Sequence, residues 1–425
     1  MKILKPRQFA VWVLLLAIPS LTAVAAQITE KSMAISQPLV SLIKKHLAEN
    51  PELQALKAEL QSTKASLRAA DQAVYNPEIE FDYEDTDVKT KSVGLSQTID
   101  WGDQQGSRTA VAEAQLIGAR ANYEAATQSF ISKLLTGFAE HQTGSELAGL
   151  SQQTLKLMQE FRQIAERRYQ AGDLNQVELN LARLAYNQAL MEQANTLSNA
   201  TEAREKLRAI LGALPSPLPV LPEQLPEPAL SNDLEAFLQQ LPVIRTQLAE
   251  VQVSRQQVAL RKSEKAWDPT ISVSAGSDGN EDLVGFNLRI PLNIRNSFSA
   301  EVDAAQQDLI VSEQRAQLAY RNTRGTLIVT TERYRNLLNA WNSWRKHSRD
   351  SVSQQLKLIK QLWQAGDISA ADYLLQLKQA LETQGTGLEL RNQLWQVAFD
   401  WMSQTASIDN WLNIEINSAA KNKQE

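Results

Sequence analysis

Few side chains in this sequence have the types and spacing that catalysis or metal binding requires. Cysteine is absent, so the chain offers no thiolate as nucleophile or metal ligand. The three histidines, His46, His141 and His347, lie far apart along the chain, and each is interpreted as a surface residue rather than a ligand. A Gly-rich phosphate loop, a Ser/His/Asp pattern and a paired-carboxylate motif are not recognisable. We therefore predict no catalytic, cofactor-binding or metal-binding residues, and a protein that is not an enzyme.

The carboxylates that remain of interest include two in a phrase that the chain contains twice. Tyr169-Gln-Ala-Gly-Asp-Leu174 recurs as Trp363-Gln-Ala-Gly-Asp-Ile368, at an offset of 363 − 169 = 194 residues. The glycine of each phrase can take the left-handed conformation that ends a helix. Each phrase is followed by an N-cap residue and its acidic capping-box partner, Asn175 with Glu178 and Ser369 with Asp372. Both phrases therefore predict the tip of a helical hairpin.

Six residues at the two tips are singled out as candidate functional residues. They are Gly172, Asp173, Leu174, Gly366, Asp367 and Ile368. If several copies surround a pore, Asp173 and Asp367 would form acidic rings, which favour cations. The alternatives are simpler: the aspartates satisfy the turn backbone, the glycines serve conformation alone, and the two aliphatic residues only pack within the hairpin.

Four segments alternate between apolar and polar residues, which predicts strands. They cover 77–84, 92–101, 269–276 and 283–291. On the polar face of the first, Glu80, Asp82 and Glu84 are predicted to line a water-filled lumen. Four aromatic residues flank the strands at one level and are predicted to form a membrane-interface girdle: Tyr75, Trp101, Trp267 and Phe298. The alternative is a soluble sheet with its apolar face on a core.

Four strands are too few to close a membrane barrel. An open edge is not tolerated in lipid, because its backbone groups would stay unpaired. Since at least about eight strands are needed, two copies would supply eight and three would supply twelve. The strands alone therefore predict an oligomer.

Long helical patterns follow each strand pair. They cover 104–170 and 297–364, and helices return from tips at 171–174 and 365–368 over 175–211 and 369–407. An unbroken helix over 104–170 would be roughly 100 Å long at 1.5 Å per residue, although Gly144 could break it. Each half also begins with a helix, over 38–73 and 231–265. Helices of such length can bury their apolar stripes only against similarly long neighbours.

The remaining segments complete a duplicated chain. A basic start, a short apolar run and small residues predict a signal peptide over 1–26, the alternative being a buried N-terminal helix. The first repeat covers 27–212 and the second 231–410, joined by a proline-rich linker at 213–230. A polar C-terminal tail is predicted over 411–425.

This order of elements, stated twice, resembles the TolC-type outer-membrane efflux channels over nearly the whole mature chain. The two tip phrases match the repeated tips of that family. Other phrases resemble its branch for cobalt–zinc–cadmium and related cation efflux: Asn76-Pro77-Glu78, Leu95-Ser96-Gln97, Trp101-Gly102, Ile290-Pro291-Leu292 and Arg295-Asn296. Where that branch commonly has Gly-Lys-Arg after the second strand, this chain has Gly102-Asp103-Gln104-Gln105-Gly106-Ser107-Arg108.

The resemblance implies a mostly helical fold with transmembrane β-structure. A homotrimer would share a 12-stranded β-barrel in outer-membrane lipid, continued by a long helical barrel through the periplasm, with the linker around its middle. The tips would form the gate that closes the periplasmic end and the surface that docks a periplasmic adaptor protein. An inner-membrane pump, of the RND type, would supply the substrate. Heavy-metal cations are the first expectation, hence metal resistance; drugs, small organic molecules or type I protein secretion are the alternatives.

Two readings from other classes remain open at the level of sequence. One is a secreted coiled-coil scaffold that never enters a membrane. The other is an adaptor of the same pumps, although adaptors generally have a single helical hairpin. The formal net charge of −5 argues against nucleic-acid binding, which usually leaves a basic footprint.

Overall fold

The computed structural model describes residues 36–347 and 349–414. The predicted signal peptide and residues 415–425 of the predicted tail lie outside the described residues. The first half contains α1 Gln37–Glu49, α2 Pro51–Ala70, β1 Glu78–Asp85, β2 Lys89–Thr98, α3 Gln104–Ala171 and α4 Gln176–Leu211.

The second half repeats this order. It contains α5 Leu234–Gln240, α6 Pro242–Ser263, β3 Thr270–Asp278, β4 Glu281–Arg289, α7 Ser299–His347, α8 Arg349–Ala365 and α9 Ala370–Gln404, followed by α10 Ile408–Leu412. The predicted fold class is confirmed at the level of one chain: a mostly helical protein with one four-stranded antiparallel sheet and a twofold internal repeat.

The single helix predicted at the start of each half was wrong in both cases. Pro51 and Pro242 each begin a new helix, so α1 and α2 are separate elements, as are α5 and α6. Proline has no N–H for a helical hydrogen bond and suits the first helical position. Asn50 caps α2 through its side chain, which accepts a hydrogen bond from the Leu53 N–H at 2.9 Å.

The four strands form one antiparallel sheet in the order β1-β2-β3-β4. The predicted hairpin partners pair as expected, with Ile79 opposite Leu95 and Val273 opposite Phe286. The strands β2 and β3 join the two halves, and Leu95 pairs with Val273 across this contact. The outer strands, β1 and β4, are therefore the two edges of the sheet. The second strand starts and ends three residues before its predicted span, because Lys89–Lys91 continue the pairing beyond the alternating segment.

The long helix α3 contains 68 residues and passes through Gly144 without a break. At 1.5 Å per residue it is roughly 100 Å long. The glycine serves packing: a Cβ at Gly144 would lie 3.3 Å from the Cα of Ala200 on α4. It therefore permits close approach of the outgoing and returning helices. None of the described helices is both long enough and apolar enough to cross a bilayer.

Two hydrophobic cores stabilise the helices. The larger one lies around α1, α3, α7, α9 and α10, with fully buried residues such as Ile131, Trp395 and Phe399. The smaller one lies near the hairpin tips and includes Phe161, Trp363 and Tyr373. Both are built from residues of the two halves, so each repeat depends on the other for burial.

The proline-rich linker contains no regular element and lies against the larger core. Trp395 donates its indole N–H to the carbonyl of Pro222 at 3.1 Å. The Tyr334 hydroxyl donates to the carbonyl of Pro226, and burial raises the pKa of this tyrosine. These contacts attach the linker to α7 and α9.

The start of the predicted C-terminal tail is part of the fold, which corrects the boundary at residue 411. Leu412 and Ile414 are buried, at 2% and 7% exposure, because α10 packs on the larger core. Trp411 also contacts Phe399, with ring centres 5.8 Å apart. The apolar residues of the sequence Ile-Asp-Asn-Trp-Leu explain why this segment is buried. The polar character of the tail did not predict that burial.

Candidate functional site

The first hairpin tip is closed by backbone hydrogen bonds. Gly172 has φ +82°, in the left-handed region, and its N–H lies 3.1 Å from the Tyr169 carbonyl. The N–H of Asp173 donates to the Arg168 carbonyl at 2.9 Å, which completes a Schellman-type helix end. The helix α4 then begins with the predicted capping box, in which Asn175 and Glu178 exchange side-chain and backbone hydrogen bonds.

The second tip has the same geometry. Gly366 has φ +86°, and the Asp367 N–H donates to the Leu362 carbonyl at 3.0 Å. Ser369 caps α9 by accepting from the Asp372 N–H at 3.1 Å, and its hydroxyl donates to the Asp372 carboxylate at 2.7 Å. In the first tip, the Glu178 carboxylate accepts a hydrogen bond from the Asn175 backbone N–H. In the second tip, the Asp372 carboxylate accepts from the Ser369 hydroxyl instead.

Arg168 holds the two tips of the chain side by side. Its Nη2 donates to the carbonyl of Trp363 at 2.9 Å and to that of Gln364 at 3.4 Å. Its guanidinium also lies 4.5 Å from the centre of the Trp363 ring. These carbonyls belong to the last turn of α8, where unsatisfied carbonyls attract a cation. The sequence interpretation missed Arg168, whose role depends on a contact between segments about 195 residues apart.

An aromatic cluster lies behind this contact. Trp363 is stacked on Tyr373, with ring centres 5.3 Å apart, and meets Phe161 edge-on at the same distance. Burial, and secondarily the charge of Glu160, raises the pKa of Tyr373 to about 12. Glu160 itself accepts a hydrogen bond from Lys360 at 2.7 Å. The cluster therefore fixes the hairpins against each other just before the tips.

The predicted tip residues divide into two groups. The carboxylates of Asp173 and Asp367 are exposed, and within the described residues their side chains make no hydrogen bond or ion pair. Leu174 and Ile368 are half-buried and pack against the smaller core. Both tips lie at the same end of the hairpins, so the structure brings the two aspartate-bearing turns together, while leaving the carboxylates available to solvent or to a partner.

The sheet has its apolar face outward. Phe81 is 77% exposed and Phe286 is 71% exposed, whereas Ser96 on the opposite face is 3% exposed. A soluble sheet with one buried face would show the reverse. The described part of one chain therefore leaves a continuous apolar surface uncovered. Such a surface, unlike scattered exposed hydrophobic residues, is expected to be covered by lipid or by a partner.

The three predicted lumen carboxylates lie on the face opposite this apolar surface. Glu80, Asp82 and Glu84 all occupy β1 and are exposed. Ser92 of β2 donates to Asp82 at 3.0 Å, and Ser96 donates to Glu80 at 3.4 Å. The polar face is thus continuous from β1 to β2 and can face water.

The four predicted girdle residues lie at the strand ends that connect to the helices. Trp101 and Trp267 are 74% and 54% exposed, while Tyr75 and Phe298 are half-buried. The Tyr75 hydroxyl donates to the Asp268 carboxylate at 2.8 Å. Asp268 also accepts from the Trp101 N–H at 3.1 Å and from the Gln104 amide at 2.6 Å. Asp268, missed by the sequence interpretation, therefore joins the two halves where the sheet meets the helices.

The described histidines are less exposed than the sequence suggested. His46 and His141 are half-buried, and burial lowers the pKa of each. The side chain of His347 lies outside the described residues. In the described ranges, no group of three or more His, Cys, Asp or Glu residues is arranged to hold a metal ion.

Part of the chain matches one known protein family in sequence. Residues 42–213 match the sequence profile of the outer membrane efflux protein family. No curated protein matches the chain by sequence.

Solved structures match over most of the chain. The open state of the Neisseria gonorrhoeae MtrE outer membrane channel is 17% identical, with a TM-score of 0.71 over 87% of this chain and 88% of that one. The channel-forming protein CusC is 16% identical, with a TM-score of 0.70 over 89% of this chain and 92% of that one. The Campylobacter jejuni CmeC outer membrane channel is 14% identical, with a TM-score of 0.69 over 90% of each chain. The chain therefore has the fold of these outer-membrane channels over nearly its whole length, and its first half matches the outer membrane efflux protein family.

Proposed function

We propose that the protein is the outer-membrane channel of a tripartite efflux system, a passive conduit that carries out no chemical reaction. The observation that carries the proposal is the sheet, which has two open edges, an exposed apolar face and a polar opposite face, and which is joined to a helix roughly 100 Å long. Lipid would cover the apolar face, and further copies would pair with the edges. The match to the efflux family and the likeness to solved channels support this assignment.

Three copies are proposed, as the sequence resemblance implies. Their twelve strands would close a barrel and satisfy every strand backbone in lipid. Glu80, Asp82 and Glu84 would then face the aqueous lumen, and Tyr75, Trp101, Trp267 and Phe298 would mark the periplasmic interface. The helices would continue the passage through the periplasm, with the linker packed around them.

The tips would close the periplasmic end. In a trimer, Asp173 and Asp367 would supply six carboxylates around the constriction, and their exposed, unpaired state leaves them free to act on passing cations. Gly172, Leu174, Gly366 and Ile368 would form the surface that meets a periplasmic adaptor. Opening would separate the two tips of each protomer and so break the contact between Arg168 and the second tip.

The substrate proposal is heavy-metal cations, delivered by an RND-type inner-membrane pump through the adaptor. It rests on the phrases that resemble the cation-efflux branch and on the acidic tips. Small organic molecules, or proteins of type I secretion, are the second candidates. A resident metal site is not needed for either, since the cation would be cargo.

Extraction and conductance test the proposal together. The mature protein should require detergent for extraction from the outer membrane, run as a trimer, and form ion-conducting pores in a planar bilayer. A deletion strain challenged with a panel of metals and drugs should then identify the substrate class. Release by osmotic shock as a soluble monomer would instead support the coiled-coil scaffold and remove the channel.

A further inference from the structure

We propose that the connection from β4 to α7 binds phospholipid at the periplasmic surface of the membrane. This connection covers residues 290–298 and is called the rim loop. The side chain of Ile294 lies among the acyl chains, and the cations of Arg295 and Lys265 contact the phosphates of the headgroups. The inference rests on the channel function proposed above, which places the sheet in lipid.

The rim loop is longer than its counterpart in the first half. The connection from β2 to α3 has 103 − 98 = 5 residues, whereas the rim loop has 298 − 289 = 9 residues. Val93-Gly94 of β2 corresponds to Val284-Gly285 of β4 at an offset of 284 − 93 = 191 residues, so Trp101 corresponds to residue 101 + 191 = 292. The second half therefore inserts four additional residues between Leu292 and its long helix.

The apolar face of β4 continues into the rim loop. Val284 and Leu288 lie on the outward face of the strand, and the same alternation leads through Ile290 to Leu292. Leu292 is 62% exposed, at the position that the exposed Trp101 holds in the first half. The rim loop therefore begins on the side of the sheet that would face lipid, at the level of the proposed girdle.

Hydrogen bonds within the rim loop direct Ile294 away from the protein. The Asn293 amide donates to the carbonyl of Lys265 at 3.1 Å, which ties the loop to the segment before β3. The N–H of Ile294 donates to the Leu292 carbonyl at 2.9 Å, which closes a three-residue turn around Asn293. Asn293 is half-buried, whereas Ile294 is 82% exposed. Because Ile294 extends the apolar face of β4 and does not stand alone, we expect an apolar medium to cover it.

Two cations lie beside Ile294 without a counter-charge. Arg295 follows it in the chain, and Lys265 is the residue whose carbonyl holds the loop. Both side chains are exposed, and neither has an ion pair or a hydrogen bond within the described residues. The loop thus presents an aliphatic side chain together with two free positive charges.

The carboxylates nearest to these cations along the chain have other partners. Glu264 pairs with Arg261 at 2.7 Å, and Glu301 accepts a hydrogen bond from Asn296 at 3.3 Å. Asp268 accepts the three hydrogen bonds described above. The phosphate of a phospholipid carries the charged oxygens that lysine and arginine bind, and it lies beside acyl chains that would receive an isoleucine. A phospholipid therefore supplies both kinds of contact at once.

A fluorescent label at residue 294 tests the insertion. The natural chain contains no cysteine, so Ile294→Cys provides a single thiol for the label. In vesicles of phosphatidylethanolamine and phosphatidylglycerol, nitroxides on the acyl chains should quench the label, whereas aqueous iodide should not. Val284→Cys, on the outward face of β4, should behave in the same way. Val220→Cys in the linker, where the valine is 65% exposed, should be quenched by iodide alone.

Charge variants test the phosphate contacts. Phosphatidylglycerol with brominated acyl chains is titrated in detergent onto the oligomer labelled at residue 294. The dissociation constant should rise about fivefold in Arg295→Gln and in Lys265→Gln, and about 25-fold in the double variant, because each cation near an anionic lipid contributes about that factor. Inorganic phosphate should not displace the lipid. None of these substitutions removes a hydrogen bond that shapes the loop, since those bonds use Asn293, Asn296 and the backbone.

Arg321→Gln is the matched control for the charge variants. Arg321 is exposed and has no side-chain partner in the described part of the chain. It lies 321 − 299 = 22 residues after the start of α7, which is roughly 33 Å from the rim loop along the helix. Its substitution should leave the lipid affinity unchanged.

The contrary results separate the rim loop from the channel. A label at residue 294 that iodide alone quenches would overturn the insertion, and a label that neither quencher reaches would overturn it by showing a contact with a neighbouring copy. Unchanged lipid affinity in the double variant, or displacement by inorganic phosphate, would overturn the headgroup contact. In each case, lipid quenching at Val284→Cys would leave the channel in place, whereas its absence there would overturn the proposed function as well.

Discussion

Replacement of Arg168 by alanine should loosen the closed end of the proposed channel. Arg168 is half-buried and is the side chain that bridges from the first tip to the backbone of the second. The substitution removes two hydrogen bonds to carbonyls, at 2.9 and 3.4 Å, and the contact of the guanidinium with the Trp363 ring at 4.5 Å. It leaves the turns themselves intact, because their backbone bonds do not use this side chain.

The magnitude follows from the kind of contact and its partial exposure. A hydrogen bond to a charged group contributes about 1.5–3 kcal/mol. A cation–π contact at an exposed site adds about 0.5–1 kcal/mol. The longer hydrogen bond is weak, and solvent competes for a half-buried guanidinium, so we expect a total loss of about 2 kcal/mol. This corresponds to a factor of about 30 in the equilibrium between joined and separated tips.

Single-channel recording measures this equilibrium directly. In planar bilayers, the fraction of time that the R168A channel spends in the open state should rise by a factor of at least about 30, because every protomer loses its Arg168 contact and as long as the wild type is mostly closed. R168K should fall between the two, because lysine keeps the charge without the planar donor geometry. R167A is the matched control, since Arg167 is exposed and its side chain has no hydrogen bond or ion pair in the described residues.

Equal open fractions in R168A, R167A and the wild type, with helical circular dichroism retained in all three, would refute the role of Arg168 in closing the tips. The tips would then be held by the aromatic cluster alone. A loss of helical signal in R168A alone would instead show that Arg168 is needed for folding of the hairpins.

Three further predictions concern the tips and the cluster behind them. Gly172→Val and Gly366→Val should both abolish resistance to the exported substrate without loss of the trimer, because valine is strained at positive φ. Gly149→Ala, in an open helical position, should have no effect. Charge reversal of both Asp173 and Asp367 should raise the leak or change the ion preference of the reconstituted channel, and unchanged conductance and selectivity would remove them from the gate. Tyr373, with its pKa raised to about 12, stays neutral when folded while the unfolded chain ionises near pH 10, so its contribution to stability should be full below about pH 10 and lost by about pH 12. Thermal melts should show this alkaline loss in the wild type and a smaller one in Y373F; equal losses in the two proteins would contradict the burial of Tyr373.

Local chemistry made the tips and strands predictable from sequence. Helix ends of the Ala-Gly-Asp type and alternating strands depend on neighbouring residues, so their signals are contained in short windows. The first tip, with Gly172 at positive φ and Asn175 as cap, follows the expectation in detail. The break at Pro51 was also readable from the same local rule, and was missed because the helical composition on both sides outweighed one proline.

Contacts between distant segments were not predictable in this way. Arg168 lies in an ordinary polar stretch of a helix, and only the fold shows that its side chain reaches the end of another helix. Asp268 looks like a residue that precedes a strand, yet it accepts hydrogen bonds from Tyr75, Trp101 and Gln104 of the other half. Both residues act across the duplication, where spacing along the chain contains no information on distance in space.

The duplication also explains why the six tip contacts of a trimer cannot be equal. The repeat offset of 194 residues between the tips pairs Arg168 with Leu362, since 168 + 194 = 362. Leucine cannot donate to carbonyls, so the second tip of one copy has no equivalent clamp to offer the first tip of the next. The seams around the closed end would therefore alternate between three with an arginine clamp and three without. Separation of the two tips within a protomer must break the Arg168 contact, and this is the step that the R168A substitution is expected to favour.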